Sequence, residues 1–194
     1  MIKKLESKSD KLKKERRLQF LLAGILIFVM LGSVFGIVAD SFGKSSSNEG
    51  VSFNGQNFIT ENGYYTLTLG NSKFYFSFDP NIAESLIKQV NLSRKISSYA
   101  GQEVYILSNN YPSYSEIVQN LGQFTLRIQG ACKEGEECLD KTLPIKTCND
   151  NLIVIKESTE NKIYETGNCV YIEGKDEDLL KLTDEFLLRE IGIK

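Results

Sequence analysis

An uncharged run of 22 residues, 18–39, constrains the fold of this chain more than any other feature. Arg17 precedes the run and Asp40 follows it. An α-helix rises about 1.5 Å per residue, so a helix over this run would be about 33 Å long, close to the roughly 30 Å of a bilayer's hydrocarbon core. The run therefore predicts a transmembrane helix over residues 18–39.

A cleavable signal peptide is the alternative interpretation of this run, with residues 37–39 as its cleavage site. The apolar core of a signal peptide usually has about 7–15 residues, which is shorter than this run. An uncleaved anchor is therefore favoured. Both interpretations export the residues that follow, so the compartment predicted for them does not depend on the choice.

The charges on the two sides of the run differ in sign. Residues 1–17 contain eight Lys and Arg and three Asp and Glu, a net charge of +5, whereas residues 40–194 contain 15 basic and 22 acidic residues, a net charge of −7. The positive-inside rule keeps the basic end in the cytoplasm. The sequence thus predicts a single-pass protein of the cell membrane with its C-terminal domain outside, and the acidic balance argues against nucleic acid as a partner.

Four segments follow from this pattern. Residues 1–17 are predicted to be a basic cytoplasmic tail, 18–39 the transmembrane helix, 40–50 a flexible linker rich in Gly and Ser, and 51–194 an extracytoplasmic domain. The lipid bilayer is the first partner that this organisation predicts.

Three glycines of the apolar run fall on one face of the predicted helix. Gly32 and Gly36 are four residues apart, and Gly24 lies two further steps of four back. Glycines at this spacing let two membrane helices approach closely. The spacing predicts a helix-association face, although glycine also occurs in single membrane helices.

All four cysteines lie in the segment that is predicted to be exported. An even number of cysteines in an oxidising compartment indicates disulfides, and the four allow three pairings. We favour Cys132 with Cys138 and Cys148 with Cys169. A zinc site is disfavoured because the sequence contains no histidine and no Cys-x-x-Cys.

The exported segment has the pattern of an α+β domain with a mixed sheet and about three helices. Asn62-Gly63 between two alternating runs predicts a β-hairpin. A strand over residues 103–107, a helix and a strand over residues 124–129 predict a right-handed βαβ unit with parallel strands. Three further short strands, at residues 152–156, 162–166 and 169–173, precede a last helix over residues 176–191.

In two of the predicted helices, the residue pattern predicts the position of particular side chains. Ser113 and Glu116 have the spacing of a capping box, in which each side chain bonds backbone at the start of the helix. In the last helix, the period places Glu185 and Arg189 on an outer face.

Asn91-Leu92-Ser93 is a possible N-glycosylation acceptor, with Asn91 as the modified residue once the chain is exported.

The absence of histidine excludes Ser-His-Asp and Cys-His catalysis and imidazole acid–base chemistry. No Gly-rich phosphate loop is present, and no cofactor or metal site is predicted. We therefore expect a non-enzymatic, membrane-anchored protein that binds an envelope protein or has a structural role in the envelope. A pilin-like or surface-filament subunit and a small hydrolase that uses acidic residues are the alternatives.

Three short motifs near the C-terminus support a family resemblance: Leu143-Pro144-Ile145-Lys146-Thr147-Cys148, Asn168-Cys169-Val170 and Leu182-Thr183-Asp184-Glu185-Phe186. They resemble the C-terminal part of uncharacterised archaeal single-pass membrane proteins with a disulfide-containing extracytoplasmic domain. The resemblance covers roughly the last 50 residues. It implies an archaeal cell, and no known activity comes with it.

Overall fold

The computed structural model of the chain describes residues 19–26, 50–83, 87, 90–138 and 140–194. The chain divides into two compact units, Met1–Ser47 and Asn48–Lys194, and we call the second the C-terminal domain. In the first unit, residues 19–26 are helical (α1) and include Gly24. The predicted basic tail, most of the predicted transmembrane run with Gly32 and Gly36, and nearly all of the predicted linker lie outside the described residues.

None of the helices in the described ranges combines the length and the apolar character that a membrane span requires.

A four-stranded antiparallel sheet opens the C-terminal domain, with strands in chain order: β1 (Gly50–Phe53), β2 (Gln56–Glu61), β3 (Tyr64–Leu69) and β4 (Ser72–Phe76). The predicted hairpin at Asn62-Gly63 is confirmed, because both residues have positive φ, 51° and 84°, and join β2 to β3. Asn54-Gly55 makes a second turn of this kind between β1 and β2, with φ of 46° and 77°. This first hairpin is absent from the sequence-based predictions.

A mixed six-stranded sheet forms the other half of the domain, in the spatial order β5-β11-β12-β10-β6-β7. Its strands are β5 (Val90–Asn91), β6 (Glu103–Ser108), β7 (Arg127–Gly130), β10 (Leu152–Glu157), β11 (Lys162–Thr166) and β12 (Cys169–Gly174). The four strands β12, β10, β6 and β7 run parallel, and β11 is antiparallel to β12. Two short strands, β8 (Cys132–Lys133) and β9 (Ile145–Lys146), pair separately.

The described residues of this domain form the α-helices α2 (Pro80–Ala83), α3 (Tyr111–Leu121) and α4 (Asp176–Glu190). A short 3₁₀ helix covers Ile96–Tyr99. The predicted strand–helix–strand order with a parallel strand pair is confirmed, since α3 connects the parallel strands β6 and β7. The α+β class of the domain, with a mixed sheet, is confirmed as well.

Helices α3 and α4 lie between the two sheets. Helix α3 contacts β4 on one side and β6 on the other, and α4 packs on β10 and β12. Phenylalanines of the first sheet, such as Phe58 and Phe76, share one core with Phe186 of α4 and with Ile153 and Ile172 of the second sheet. Because the strands alternate their side chains, the next residues along β10 and β12 point to the opposite face of the second sheet.

The prediction that Glu185 lies on an outer face of α4 is wrong, because this residue is 0% exposed. All residues from Leu182 to Leu188 are buried, because the second sheet and the helices α2 and α3 all pack on α4. The Glu185 carboxylate accepts hydrogen bonds from Arg189 Nε and Lys194 Nζ, each at 2.7 Å. A helix period identifies one buried face, and it does not reveal a second layer that packs against the other face.

The predicted capping box is wrong too. Helix α3 begins at Tyr111, and Asn110 is its cap: the Asn110 Oδ1 atom accepts a hydrogen bond of 3.0 Å from the Ser113 backbone N–H. Pro112 occupies the first turn, where its missing N–H has no cost. Glu116 points instead into the interior, where its carboxylate accepts a hydrogen bond from the Ser77 hydroxyl.

Both disulfides that the sequence favoured are present, Cys132–Cys138 and Cys148–Cys169. The first joins two cysteines that are six positions apart in the segment after β7. The second, with a separation of 21 residues, ties the segment before β10 to the first residue of β12. The described residues contain no free cysteine.

We expect replacement of Cys148 and Cys169 together by alanine to lower the free energy of unfolding by about 3 kcal/mol, since the unfolded chain loses a closed loop. Urea unfolding of the full chain in mild detergent, followed by far-ultraviolet circular dichroism, measures this change. The double variant of Cys132 and Cys138 is the matched control, with a smaller expected loss of about 2 kcal/mol because its loop is shorter. Equal urea midpoints for wild type and the Cys148/Cys169 variant would contradict this expectation.

Candidate functional site

A cleft of about 560 Å³ opens in the C-terminal domain at the carboxyl ends of β6 and β7. Strand β6 ends at Ser108 and β7 ends at Gly130, and both residues line the cleft. Ligands of open α/β sheets bind outside the carboxyl ends of the strands. The volume of the cleft lies within the range of about 300–1,000 Å³ that is typical of ligand pockets. Because of this volume and its position at the strand ends, the cleft is the candidate binding site.

One wall of the cleft is the start of α3. The chain leaves β6 at Ser108, whose hydroxyl accepts a hydrogen bond of 3.1 Å from the Asn110 N–H, and enters the helix at Tyr111. Tyr111 and Tyr114 line the cleft from the first turn, and Tyr111 is 77% exposed. An aromatic ring that is so exposed at the edge of a cleft offers an apolar contact surface to a partner.

The opposite wall is the segment that follows β7 and contains the first disulfide. Its backbone is tied to the sheet and to β9, because Ala131 N–H donates to the Ile106 carbonyl and Cys132 N–H to the Pro144 carbonyl, both at 2.9 Å. Cys132 and Cys138 both border the cleft, and Leu143 adds an apolar contact. The cross-link holds this wall in place.

Two carboxylates, Glu137 and Asp140, are the charged groups among the described residues that line the cleft. Asp140 Oδ1 accepts hydrogen bonds from the backbone N–H and the hydroxyl of Thr142, at 2.9 and 2.6 Å. These bonds lower the pKa of Asp140 below its ordinary value, so it is negatively charged at neutral pH. The cleft therefore combines apolar walls with an acidic border.

A second crevice, of about 120 Å³, lies where the strand order of the second sheet reverses, between β6 and β10. Asn110 Nδ2 donates a hydrogen bond of 2.9 Å to Asp176 across it. The first turn of α4 there carries Asp176, Glu177 and Asp178. These carboxylates disfavour an anion at the start of the helix, and the crevice is too small for most ligands.

The face of the second sheet opposite the helices carries tyrosines and lysines. Tyr164 and Tyr171 stack with ring centroids 4.8 Å apart. Lysine Nζ atoms lie over tyrosine rings at 3.9–6.0 Å from the centroids: Lys146 over Tyr105, and Lys133 and Lys156 over Tyr171. Each lysine also has an acidic partner: Glu136 for Lys133, Asp150 for Lys146 and Glu173 for Lys156. These charges are matched within the domain, which indicates a structural role.

A buried polar cluster joins the first sheet to the helices. Asp184 of α4 accepts from the backbone N–H groups of Ser77 and Phe78, and Asn120 of α3 bonds both the N–H and the carbonyl of Tyr75. Burial raises the pKa of the neighbouring Glu116 to about 7, opposed by its hydrogen bonds from Ser77. The polar atoms of this cluster face protein, so it holds the layers together and offers no ligand site.

The sequence-predicted residues are only partly brought together. Cys132 and Cys138 border the cleft, whereas the Cys148–Cys169 disulfide belongs to the segment before β10. Asn91 lies in the edge strand β5, paired with Tyr164, and its glycosylation stays a prediction. No group of three or more metal-ligating side chains is present in the described ranges.

Sequence reasoning missed Tyr111 and Asp140 as members of one site. The predicted βαβ unit places the start of α3 at the carboxyl ends of β6 and β7, and this was the available signal for Tyr111. The position of the acidic loop beside it depends on how the chain returns through β8 and β9, which no local pattern specifies.

No family model matches this chain, and no curated protein or solved structure is significantly similar to it. The proposals that follow therefore depend on the residues and geometry of this chain.

Proposed function

We propose that this chain is a membrane-anchored, extracytoplasmic protein without enzymatic activity, whose C-terminal domain binds a segment of another envelope protein. The apolar run of residues 18–39 supports the anchor, with the N-terminus in the cytoplasm and the domain outside. The two disulfides support an oxidising compartment for the domain.

The observation that carries the proposal is the cleft between the start of α3 and the disulfide loop. Its walls are apolar, Tyr111 is exposed at its edge, and Glu137 and Asp140 lie at its border. Protein-binding sites are enriched in tyrosine, and they need a preformed surface that loses little entropy on binding. The disulfide and the backbone hydrogen bonds of Ala131 and Cys132 supply that rigidity.

Site-specific photocrosslinking in the native cells tests the proposal. A benzoyl-phenylalanine at position 111 is expected to give an adduct with one extracytoplasmic or membrane protein, identified by mass spectrometry of the crosslinked peptide. The same group at Tyr64, an exposed tyrosine of the first sheet away from the cleft, is the matched control. Recovery of monomer alone at position 111, or the same adducts at both positions, would refute the proposal.

An adduct between two copies of this chain would identify self-association as the interaction. The glycines Gly24, Gly32 and Gly36 of the predicted membrane helix motivate that possibility. Isoleucine at Gly32 and Gly36 would then be expected to reduce the two-copy adduct, because larger side chains keep the helices apart.

Protease added to intact cells tests the orientation by itself. We expect the C-terminal domain to be degraded while residues 1–17 stay protected, as antibodies against each end would detect. Protection of the domain would place it inside the cell and overturn the proposed localisation.

A further inference from the structure

We propose that the cleft binds a lysine or arginine side chain of an extended peptide segment, with its cationic group against Glu137 and Asp140 and its stem along Tyr111 and Leu143. This inference rests on the proposed function, because it names the ligand class of the same cleft.

The charges around the cleft favour a cationic ligand. Glu137 and Asp140 are acidic, and no cation is found among the described residues that line the cleft. The loop of residues 132–143 contains four acidic and two basic residues, and the chain from residue 40 onward has a net charge of −7. One of the two cations, Lys133, is engaged by Glu136 at 2.9 Å. This field attracts a cationic ligand and repels an anionic one.

The hydrogen bonds of Asp140 leave one of its oxygens for a ligand. Both bonds from Thr142 end on Oδ1, and within the described part of the chain no hydrogen bond ends on Oδ2. The bonds to Oδ1 also fix the orientation of the carboxylate before a ligand arrives. A preoriented carboxylate binds an ammonium or guanidinium group with a smaller entropic cost.

The apolar walls suit the stem of a basic side chain. Lysine and arginine place their methylene groups along apolar surfaces while the charged end reaches polar groups. Tyr111 and Tyr114 present aromatic rings on which a cation is also favourable. The same domain already uses this contact, since Lys146 Nζ lies 3.9 Å from the centre of the Tyr105 ring.

The neighbouring sheet edge favours a peptide over a free amine. Strand β7 is the outer strand of the six-stranded sheet and runs into the cleft at Gly130. Leu126, just before this strand, is 71% exposed. An extended peptide can pair its backbone with such an edge and place alternate side chains in an adjacent pocket.

Calorimetric titration of the full chain in lipid nanodiscs tests the inference with defined peptides. The probes are acetylated and amidated Gly-Leu-Xaa-Leu-Gly peptides in which Xaa is lysine, arginine, norleucine or glutamate, together with N-acetyl-lysine amide. We expect the lysine and arginine peptides to bind at least 10-fold more tightly than the norleucine and glutamate peptides. Their affinity should also fall as the salt concentration rises. N-acetyl-lysine amide, which lacks the peptide backbone on both sides, should bind more weakly.

Substitution of the two carboxylates locates the binding site. We expect Glu137→Gln combined with Asp140→Asn to weaken the lysine peptide about 10-fold, because two charge-assisted contacts are lost. Glu134→Gln combined with Glu177→Gln removes the same charge at exposed positions outside the cleft lining and should change the affinity less than 2-fold. Unchanged circular dichroism and urea midpoints would show that both double variants are folded.

The outcomes separate this inference from the proposed function. Equal binding of basic and acidic peptides, no binding of basic peptides at millimolar concentration, or full affinity in the Glu137/Asp140 variant would overturn the ligand class. Equal binding of N-acetyl-lysine amide would assign the cleft to a small amine and overturn the peptide. A position-111 adduct that persists in any of these cases would leave the proposed function standing without its ligand.

Discussion

Replacement of Asp184 by alanine is expected to lower the free energy of unfolding by about 4 kcal/mol, since it removes two hydrogen bonds to a carboxylate and such bonds contribute about 1.5–3 kcal/mol each. Asp184 is 0% exposed and lies in α4 between the two sheets. Its Oδ2 accepts a hydrogen bond of 2.8 Å from the Phe78 N–H, and its Oδ1 one of 3.4 Å from the Ser77 N–H. Alanine would leave the Phe78 N–H unpaired and would remove the longer bond of the Ser77 N–H, which also interacts with the Glu116 carboxylate.

The size of this effect follows from where the two N–H groups lie. The chain leaves the ladder of the first sheet after Phe76, so neighbouring strands no longer supply acceptors for Ser77 and Phe78. The Asp184 carboxylate accepts the hydrogen bonds of these two N–H groups, as the carbonyls of a neighbouring strand would. Water cannot easily take its place, because the residues around Asp184 in α4 are buried.

Urea unfolding of the full chain, followed by tyrosine fluorescence and circular dichroism, measures the prediction. Asp184→Asn should have an intermediate effect, because its amide NH₂ group would face one of the two donors. Glu177→Ala, at an exposed position in the first turn of the same helix, is the control and should change the stability by less than about 1 kcal/mol. A loss of under 1 kcal/mol in Asp184→Ala would show that the turn is held by other contacts.

Local chemistry explains what could be predicted from the sequence. Asn62-Gly63 specifies its turn because both residues adopt positive φ readily, and the neighbouring Asn54-Gly55 offered the same signal. Strand, helix and strand over residues 103–130 imply a right-handed crossover whatever surrounds them. The even number of cysteines predicted two disulfides but left three pairings open, and the favoured pairing, in which Cys132 and Cys138 close a short loop, is the one present.

The features that were missed depend on packing between distant parts of the chain. Asp184 and Glu185 are acidic residues in an amphipathic pattern, and their burial follows from the packing of the second sheet, α2 and α3 around α4. Glu116 has capping-box spacing, yet the helix begins two residues before Ser113 and turns Glu116 toward Ser77. The cleft likewise forms between segments that approach one another only in the folded domain.

Two buried carboxyl groups are expected to make the domain more stable at pH 5 than at pH 8. Glu116 and Glu190 are both buried, and burial is the main cause that raises the pKa of each to about 7. In the unfolded chain both would titrate near an ordinary glutamate value of about 4.3. The folded state therefore binds protons more tightly, and its advantage is present below the unfolded pKa and is lost as the pH rises through about 7.

The surroundings of the two carboxyl groups account for the direction of the shift. At Glu190, negative Glu165 adds to the effect of burial, whereas Arg94 and Lys95 oppose it, and within the described residues neither carboxyl oxygen has a hydrogen-bond partner. At Glu116, hydrogen bonds from Ser77 oppose burial without cancelling it. Each group is expected to change the stability by about 3 kcal/mol between pH 5 and pH 8.

Urea midpoints measured at several values between pH 5 and pH 8 test this prediction. Glu190→Gln and Glu116→Gln should each stabilise the domain at pH 8 and remove about half of the pH dependence, because a neutral amide does not ionise. Glu177→Gln, at an exposed position, should retain the full dependence. Asp140 does not affect the stability profile between pH 5 and pH 8. Its pKa is lowered in the folded state, so its stabilising contribution is lost only as the pH falls through that lowered value. A flat stability profile in the wild type, or an undiminished slope in both glutamine variants, would show that these carboxyl groups reach water in the folded protein.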